Sequence, residues 1–192
     1  MAPDESRSAL ALLGGTFDPV HNAHLAMARA ALDALKAERV VFLPTGNTHY
    51  RSPAVAPAAD RVAMLRLALA GEPRFAVDER ELAPQATGYT VDTLRGLRKE
   101  LPKAELFFLM GADQLEKLAE WRAPEEIRRL ANLAVFARPG HEVNDAGATR
   151  IPMDPMDVAA SDIRARVARG ESIAGLVPAA VANHIERKGR YR

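Results

Sequence analysis

The chain has 192 residues, no cysteine, a formal net charge of +1, and 27% charged against 48% hydrophobic residues. That length fits one domain with its own core, and near-neutrality argues against a nucleic-acid-coating protein while leaving room for a local basic pocket. Without cysteine there is no disulfide, thiolate nucleophile or thiolate zinc site; the N-terminal apolar run is too short for a signal peptide, and nothing approaches the ~20 apolar residues of a membrane span, so a soluble cytoplasmic protein is expected.

In chain order, residues 8–14 (SALALLG) read as a buried strand. Residues 22–37 follow as a helix with Leu25, Ala28, Leu32 and Leu35 on one stripe. Residues 39–44 (RVVFLP) form a second strand stopped by Pro44, and a polar, proline-punctuated loop over 45–57 leads to an amphipathic helix over 58–70. Residues 74–80 are strand-like, 90–101 helical, and 104–113 (AELFFLMGAD) are the clearest buried strand, with helical QLEKLAEW behind it. Residues 132–140 (NLAVFARPG) make a fifth strand ending in a turn. The last fifty residues begin with a segment rich in Pro, Gly and Asp, with a short strand around Ile151–Met153. Two helices close the chain, with Ser161 as an N-cap and Pro178 as a first helical residue. Alternating apolar strands and helices predict an α/β fold, a mainly parallel sheet covered on both faces.

Ligands of such sheets sit beyond the carboxyl ends of the strands. The unusual stretches Gly14–His24, Thr45–Arg51, Gly111–Asp113 and Arg138–Gly140 all fall there. Gly14 and Gly15 permit close backbone approach and positive φ, and a helix opening near Asn22 presents N–H groups and a positive dipole end to an anion. No Gly-Lys-Ser/Thr follows, and the glycines do not make a G-x-G-x-x-G fingerprint. His21 and His24 can share one side of a first helical turn. Such a pair can be structural, can bind zinc, or can hold phosphate oxygens while a phosphoanhydride breaks; lack of cysteine and of a spaced third ligand weighs against zinc, and position favours phosphate.

The stretch GGTFDPVHNAH closely resembles the signature of the nucleotidylyltransferase superfamily, whose Gly-rich turn and His-x-x-His bind a nucleotide triphosphate. With YTVDTL (89–94), FLMGADQLEKLAEW (108–121), FARPG (136–140) and LVPAAVANHIERKGRYR (176–192) in collinear order, the chain resembles the bacterial nicotinate mononucleotide adenylyltransferase family over nearly its whole length. The resemblance implies a single Rossmann-like domain of about five parallel strands with a C-terminal helical extension. It implies transfer of the adenylyl group of ATP to nicotinate mononucleotide, giving deamido-NAD and pyrophosphate by direct in-line displacement, with Mg²⁺ accompanying ATP. An adenylyltransferase making dephospho-coenzyme A, or a non-catalytic nucleotide sensor on the same fold, are the alternatives.

Carried over residue by residue, the resemblance makes His21, His24 and Arg164 catalytic. Gly14, Gly15, Thr16 and Phe17 become a backbone-lined cradle for ATP, joined by Ser161 and Arg138. In VAASDIR (158–164) Ala159 and Ala160 stand where the family has serines, while Ser161 keeps a hydroxyl and Arg164 the cation. For the acceptor mononucleotide the resemblance marks Tyr89, Thr90, Asp113 and Trp121, Trp121 reading equally as a ring-stacking partner or a core aromatic. Asp92 reads as a brace of its helix. In PTGNTHYRSP (44–53) Arg51 keeps a cation and Tyr50 stands at the usual His position, so that His49 can serve from one residue earlier. Ala23 stands where the family has Gly, which is harmless if its φ is helical.

Overall fold

The computed structural model describes residues 8–46, 53–137, 143 and 145–192. Six strands, β1 (Ala9–Gly15), β2 (Arg39–Pro44), β3 (Phe75–Val77), β4 (Glu105–Gly111), β5 (Asn132–Phe136) and β6 (Ala148–Ile151), form one sheet in the order β3-β2-β1-β4-β5-β6. Every neighbouring pair is parallel. The helices are α1 (Asn22–Leu35), α2 (Ala58–Leu69), α3 (Thr90–Glu100), α4 (Ala112–Leu115), α5 (Pro124–Leu130), α6 (Ala160–Ala168) and α7 (Ala179–Arg187).

Side-chain alternation along the strands builds two cores. From β1, Ala11 and Leu13 face a cluster completed by Phe42, Leu109 and Phe136, with Leu25, Ala28 and Leu32 of α1, Leu65 of α2 and Ile185 of α7. Leu12 faces the opposite cluster with Phe108, Met110 and Val135, closed by Leu94 and Leu97 of α3 and Ile127 of α5. Burial on both faces explains why these strands read as continuous apolar runs. The sequential strands run outward one way from β1 and the other way from β4, so the border between these two strands is the topological switch point where such sheets open a crevice.

The elements differ from the sequence expectation in five places. A sixth strand, β6, pairs with β5, and it ends at Ile151 rather than spanning 151–153. Helix α5 went unread: Pro124 at its start, Glu125 and Glu126 in its first turn and Arg128 and Arg129 in its last are good signals, but only Ile127 is buried and no apolar stripe announces it. The helix expected after β4 is only Ala112–Leu115 followed by a 3₁₀ turn at Leu118–Glu120. Ser161 lies inside the first turn of α6, whose N-cap is Ala159, and Pro178 is the N-cap of α7 rather than its first helical residue.

After β3 a 3₁₀ turn (Arg80–Leu82) seats Glu81, which accepts a hydrogen bond from Thr93 Oγ1 at 2.8 Å. The carbonyl of Glu81 lies where a Cβ on Gly46 would fall, 2.3 Å away, so the end of β2 needs glycine there. Burial pushes the Glu81 carboxyl above its ordinary range. A carboxyl raised on folding supports the folded state while protonated, and that contribution is lost as pH rises through its folded value. Glu81→Gln, which keeps the acceptor for Thr93, is therefore expected to be more stable than the wild type at pH 7. The advantage should shrink toward pH 4 in thermal melts; an equal gap at both pH values would contradict the assignment.

Candidate active site

The segment between β1 and α1 crosses the switch point. Neither Gly14 nor Gly15 takes a positive φ; both belong to β1, and the left-handed residue is Phe17 at φ 49°. The glycine requirement is steric instead. A Cβ on Gly15 would stand 2.9 Å from the Phe17 ring, which folds back beneath the strand end, is almost fully buried, and packs on Phe42 at 5.6 Å. Gly14 has more room, its nearest neighbour being the Phe108 ring at 3.9 Å. The Asp18–Pro19 peptide is cis.

His21 is the N-cap of α1 and His24 its third residue. The His21 backbone N–H donates to His24 Nδ1 at 3.2 Å, and the two rings stack with centroids 3.7 Å apart at 26°. His24 thus fills the place of the Glu or Gln of a capping box. With Nδ1 held as an acceptor, the neutral ring carries its proton on Nε2, a donor suited to an anionic oxygen. Phe17 meets the His24 ring edge-on at 4.9 Å, so its strained backbone is coupled directly to an imidazole. The N-terminal N–H groups of α1 are less open than expected: Asn22 N–H donates to Leu176 O at 2.9 Å and His24 N–H to His21 O at 3.0 Å. An anion held at this turn would meet side chains more than a bare helix end. Ala23 is helical and buried, so its methyl costs the turn nothing.

A buried polar frame, unread in the sequence, holds this turn. Arg61 Nη1 donates to Thr16 O at 2.7 Å and Arg164 Nη1 to Asp18 O at 2.7 Å. The Asp18 carboxylate accepts from Val55 N–H (2.6 Å), Ala56 N–H (3.1 Å) and Tyr191 Oη (2.7 Å). Burial draws Arg61 below the ordinary arginine value, with the Asp18 charge opposing that, while burial and the bond to Asp18 push the Tyr191 phenol upward. Asp60, next to Arg61 on α2, pairs with His184 Nε2 at 3.2 Å and with Arg190. One signal was available: Arg61 shares a helical stripe with Met64 and Leu65, an odd place for a guanidinium unless a buried partner waits for it. Tyr191 ties the C-terminal segment to the turn and His184 ties it to α2, a structural task.

Arg164 therefore reaches the Gly-rich turn at the Asp18 carbonyl. Ser161 is exposed on the first turn of α6. The remaining marked residues come from the segments that follow β3 and β4. Tyr89 is the N-cap and Thr90 the first residue of α3. Trp121 is half-buried with its ring edge-on to Phe108 at 6.1 Å, so the aromatic that borders Gly14 also supports the indole. Asp113 sits in the first turn of α4 and accepts from Gln114 Nε2 at 3.0 Å. Asp92 braces its helix as expected, taking Thr87 Oγ1 at 2.7 Å and Arg95 Nη1 at 2.6 Å; the threonine bond first, then the arginine, holds its carboxyl below the ordinary range. His49, Arg51 and Arg138 lie outside the described residues. Among the described residues, no group of three His, Asp or Glu side chains is arranged to hold a metal ion, and no helix is long and apolar enough to cross a membrane.

The arrangement is a stacked pair of imidazoles and a guanidinium on a close-packed turn after β1, with the Trp121 indole against Phe108 of the neighbouring strand β4. Such a site can hold a polyphosphate, neutralise charge on it and place a second, ring-bearing substrate in line. Its carboxylate nearest the turn, Asp18, is spent on structure. Residues 12–166 match the cytidylyltransferase-like family. A protein of Laribacter hongkongensis named "Probable nicotinate-nucleotide adenylyltransferase" is 43% identical over 97% of this chain and 96% of its own length. One of the same name from Thermomicrobium roseum is 43% identical over 96% of this chain and 92% of its own. The fold matches a solved nicotinic acid mononucleotide adenylyltransferase of Plasmodium falciparum complexed with NaAD, with a TM-score of 0.83 at 13% identity, over 96% of this chain and 98% of that one.

Proposed function

The chain belongs to the cytidylyltransferase-like family, and from that premise we propose that it is the enzyme that adenylylates nicotinate mononucleotide from ATP, in a single domain. An oxygen of the mononucleotide 5′-phosphate attacks the α-phosphorus of ATP; a new P–O bond forms, the bond to the bridging α–β oxygen breaks, and pyrophosphate leaves with the electron pair. The products are deamido-NAD and pyrophosphate, a step of NAD synthesis. ATP enters with a divalent metal as part of the substrate, and Mg²⁺ is the ion proposed.

The observation that carries the reading is the stacked His21–His24 pair at the switch point, with Arg164 anchored on the same turn. In this reading His24 Nε2–H, His21 and Arg164 face the triphosphate and stabilise charge as the anhydride breaks, Arg164 as a planar cation suited to phosphate. Gly14, Gly15, Thr16 and Phe17 line the cradle, and Ser161 and Arg138 complete the ATP side. Tyr89, Thr90, Asp113 and Trp121 receive the acceptor, with His49 and Arg51 on its phosphate. The test is pyrophosphate release from Mg²⁺-ATP with nicotinate mononucleotide, nicotinamide mononucleotide or phosphopantetheine as acceptor. Release with a pyridine mononucleotide is expected; release with phosphopantetheine alone, or with none, overturns the reading.

A further inference from the structure

Beside the two aromatic residues proposed for the acceptor stands a cation that the sequence comparison did not mark. The Arg122 guanidinium lies over the face of the Tyr89 ring, 4.6 Å from its centroid, and Arg122 directly follows Trp121 in the chain. It therefore belongs to the same cluster as both aromatic groups while coming from a different element than Tyr89.

The backbone holds this placement, and hydrogen bonds from other groups already fill the neighbouring carboxylates. The backbone around Arg122 is fixed on both sides: Trp121 N–H donates to Leu118 O at 3.0 Å, and Ala123 O accepts from Glu126 and Ile127 N–H at 3.0 and 3.1 Å. Ala123 itself is left-handed at φ 53°, a conformation unfavourable for alanine, just before Pro124 opens α5. The carboxylates nearby are already answered by another arginine: Arg95 binds Glu126 through two nitrogens at 2.8 and 2.5 Å and reaches Asp92 at 2.6 Å, and Asp92 also takes the Thr87 hydroxyl. Arg122, by contrast, is exposed, and its effect on these carboxylates is a Coulombic pull on Asp92 that ranks behind the Thr87 and Arg95 hydrogen bonds there.

We propose that Arg122 is the specificity-determining cation of the acceptor site, pairing with the carboxylate on the pyridine ring and so favouring the acid over the amide mononucleotide. The inference rests on the function proposed above. A ring seated between Tyr89 and Trp121 brings its substituent near the guanidinium, whose planar donors match a carboxylate in two places at once. A carboxamide offers one neutral acceptor and no charge. The difference between a charged and a neutral hydrogen-bonded pair at a partly exposed site corresponds to about tenfold in binding.

The experiment measures kcat/KM for nicotinate and nicotinamide mononucleotide at saturating Mg²⁺-ATP in the wild type, Arg122→Gln and Arg122→Lys. Binding of each mononucleotide is followed in parallel through the fluorescence of Trp121, the single tryptophan of the chain. The acid-to-amide ratio is expected to fall about tenfold in Arg122→Gln, chiefly through weaker binding of the acid, and to recover in part in Arg122→Lys. Because both acceptors are measured on one preparation, the ratio is unaffected by any loss of folded protein. A ratio unchanged in Arg122→Gln overturns the proposal while leaving the enzymatic reading standing. A wild type that turns over neither pyridine nucleotide overturns both.

Discussion

His24→Ala is expected to lower turnover by at least about 10²-fold, the scale of one lost transition-state donor. The ring is unusually well prepared for that role: its Nδ1 is engaged by the His21 backbone N–H, its face stacks on His21, and its edge is met by Phe17. Those contacts fix both the tautomer and the direction of Nε2 before any substrate arrives, so little reorganisation remains when charge develops. The same contacts make His24 part of a helix cap, so alanine should also cost stability, about 1 kcal/mol. His24→Gln separates the two effects, because glutamine is a regular capping residue at this position. It should restore the melting temperature while turnover stays low in steady-state pyrophosphate release. Near-wild-type turnover in His24→Ala would make the histidine pair a structural cap and nothing more.

The second large effect is expected at Asp18→Ala, and it is one of stability. The Asp18 carboxylate is 4% exposed and answers two backbone N–H groups and the Tyr191 hydroxyl, and its charge faces Arg61, itself 3% exposed. Alanine leaves those donors without their acceptor and a buried guanidinium without its counter-charge. Breaking a buried pair from one side in this way costs about 3–5 kcal/mol. For a domain of this size that corresponds to a fall in Tm of roughly 10 °C. Turnover should fall with it, since the turn that Asp18 anchors carries Thr16, Phe17 and the histidines. Thermal melts by circular dichroism, with Asp18→Asn as the shape-conserving comparison, check this. An unchanged Tm would mean that Arg61 and the turn are held by other means.

Both predictions concern one segment, and together they explain its composition. Glycine at position 15 makes room for the Phe17 ring, Phe17 in turn supports His24, and Asp18 locks the turn to the loop before α2 and to the C-terminal segment. A strand-to-helix junction that merely changed direction would need none of this.

The local signals along the chain were sufficient for the parallel sheet, for β2 at its observed bounds, and for α1 with its buried stripe, because periodicity of apolar residues is itself the cause of those elements. They were also sufficient to place His21, His24 and Asp113 just beyond strand ends, where ligands of a doubly wound sheet sit, whereas Tyr89, Thr90 and Trp121 were marked by family resemblance and lie on later turns and helix starts. Short elements escaped: α5 buries one side chain and β6 lies at an edge with two exposed residues, so neither writes a period into the sequence. What only the tertiary structure decided is how the turn is held. Which buried polar group finds which partner, Asp18 with Tyr191 across 173 positions or Arg164 with the Asp18 carbonyl across 146, depends on contacts made after the sheet has assembled. The stacking of Arg122 on Tyr89 is of the same kind. Hydrophobic patterning is a local property and can be read along the chain; pairing of buried and stacked polar groups is a property of the packed whole.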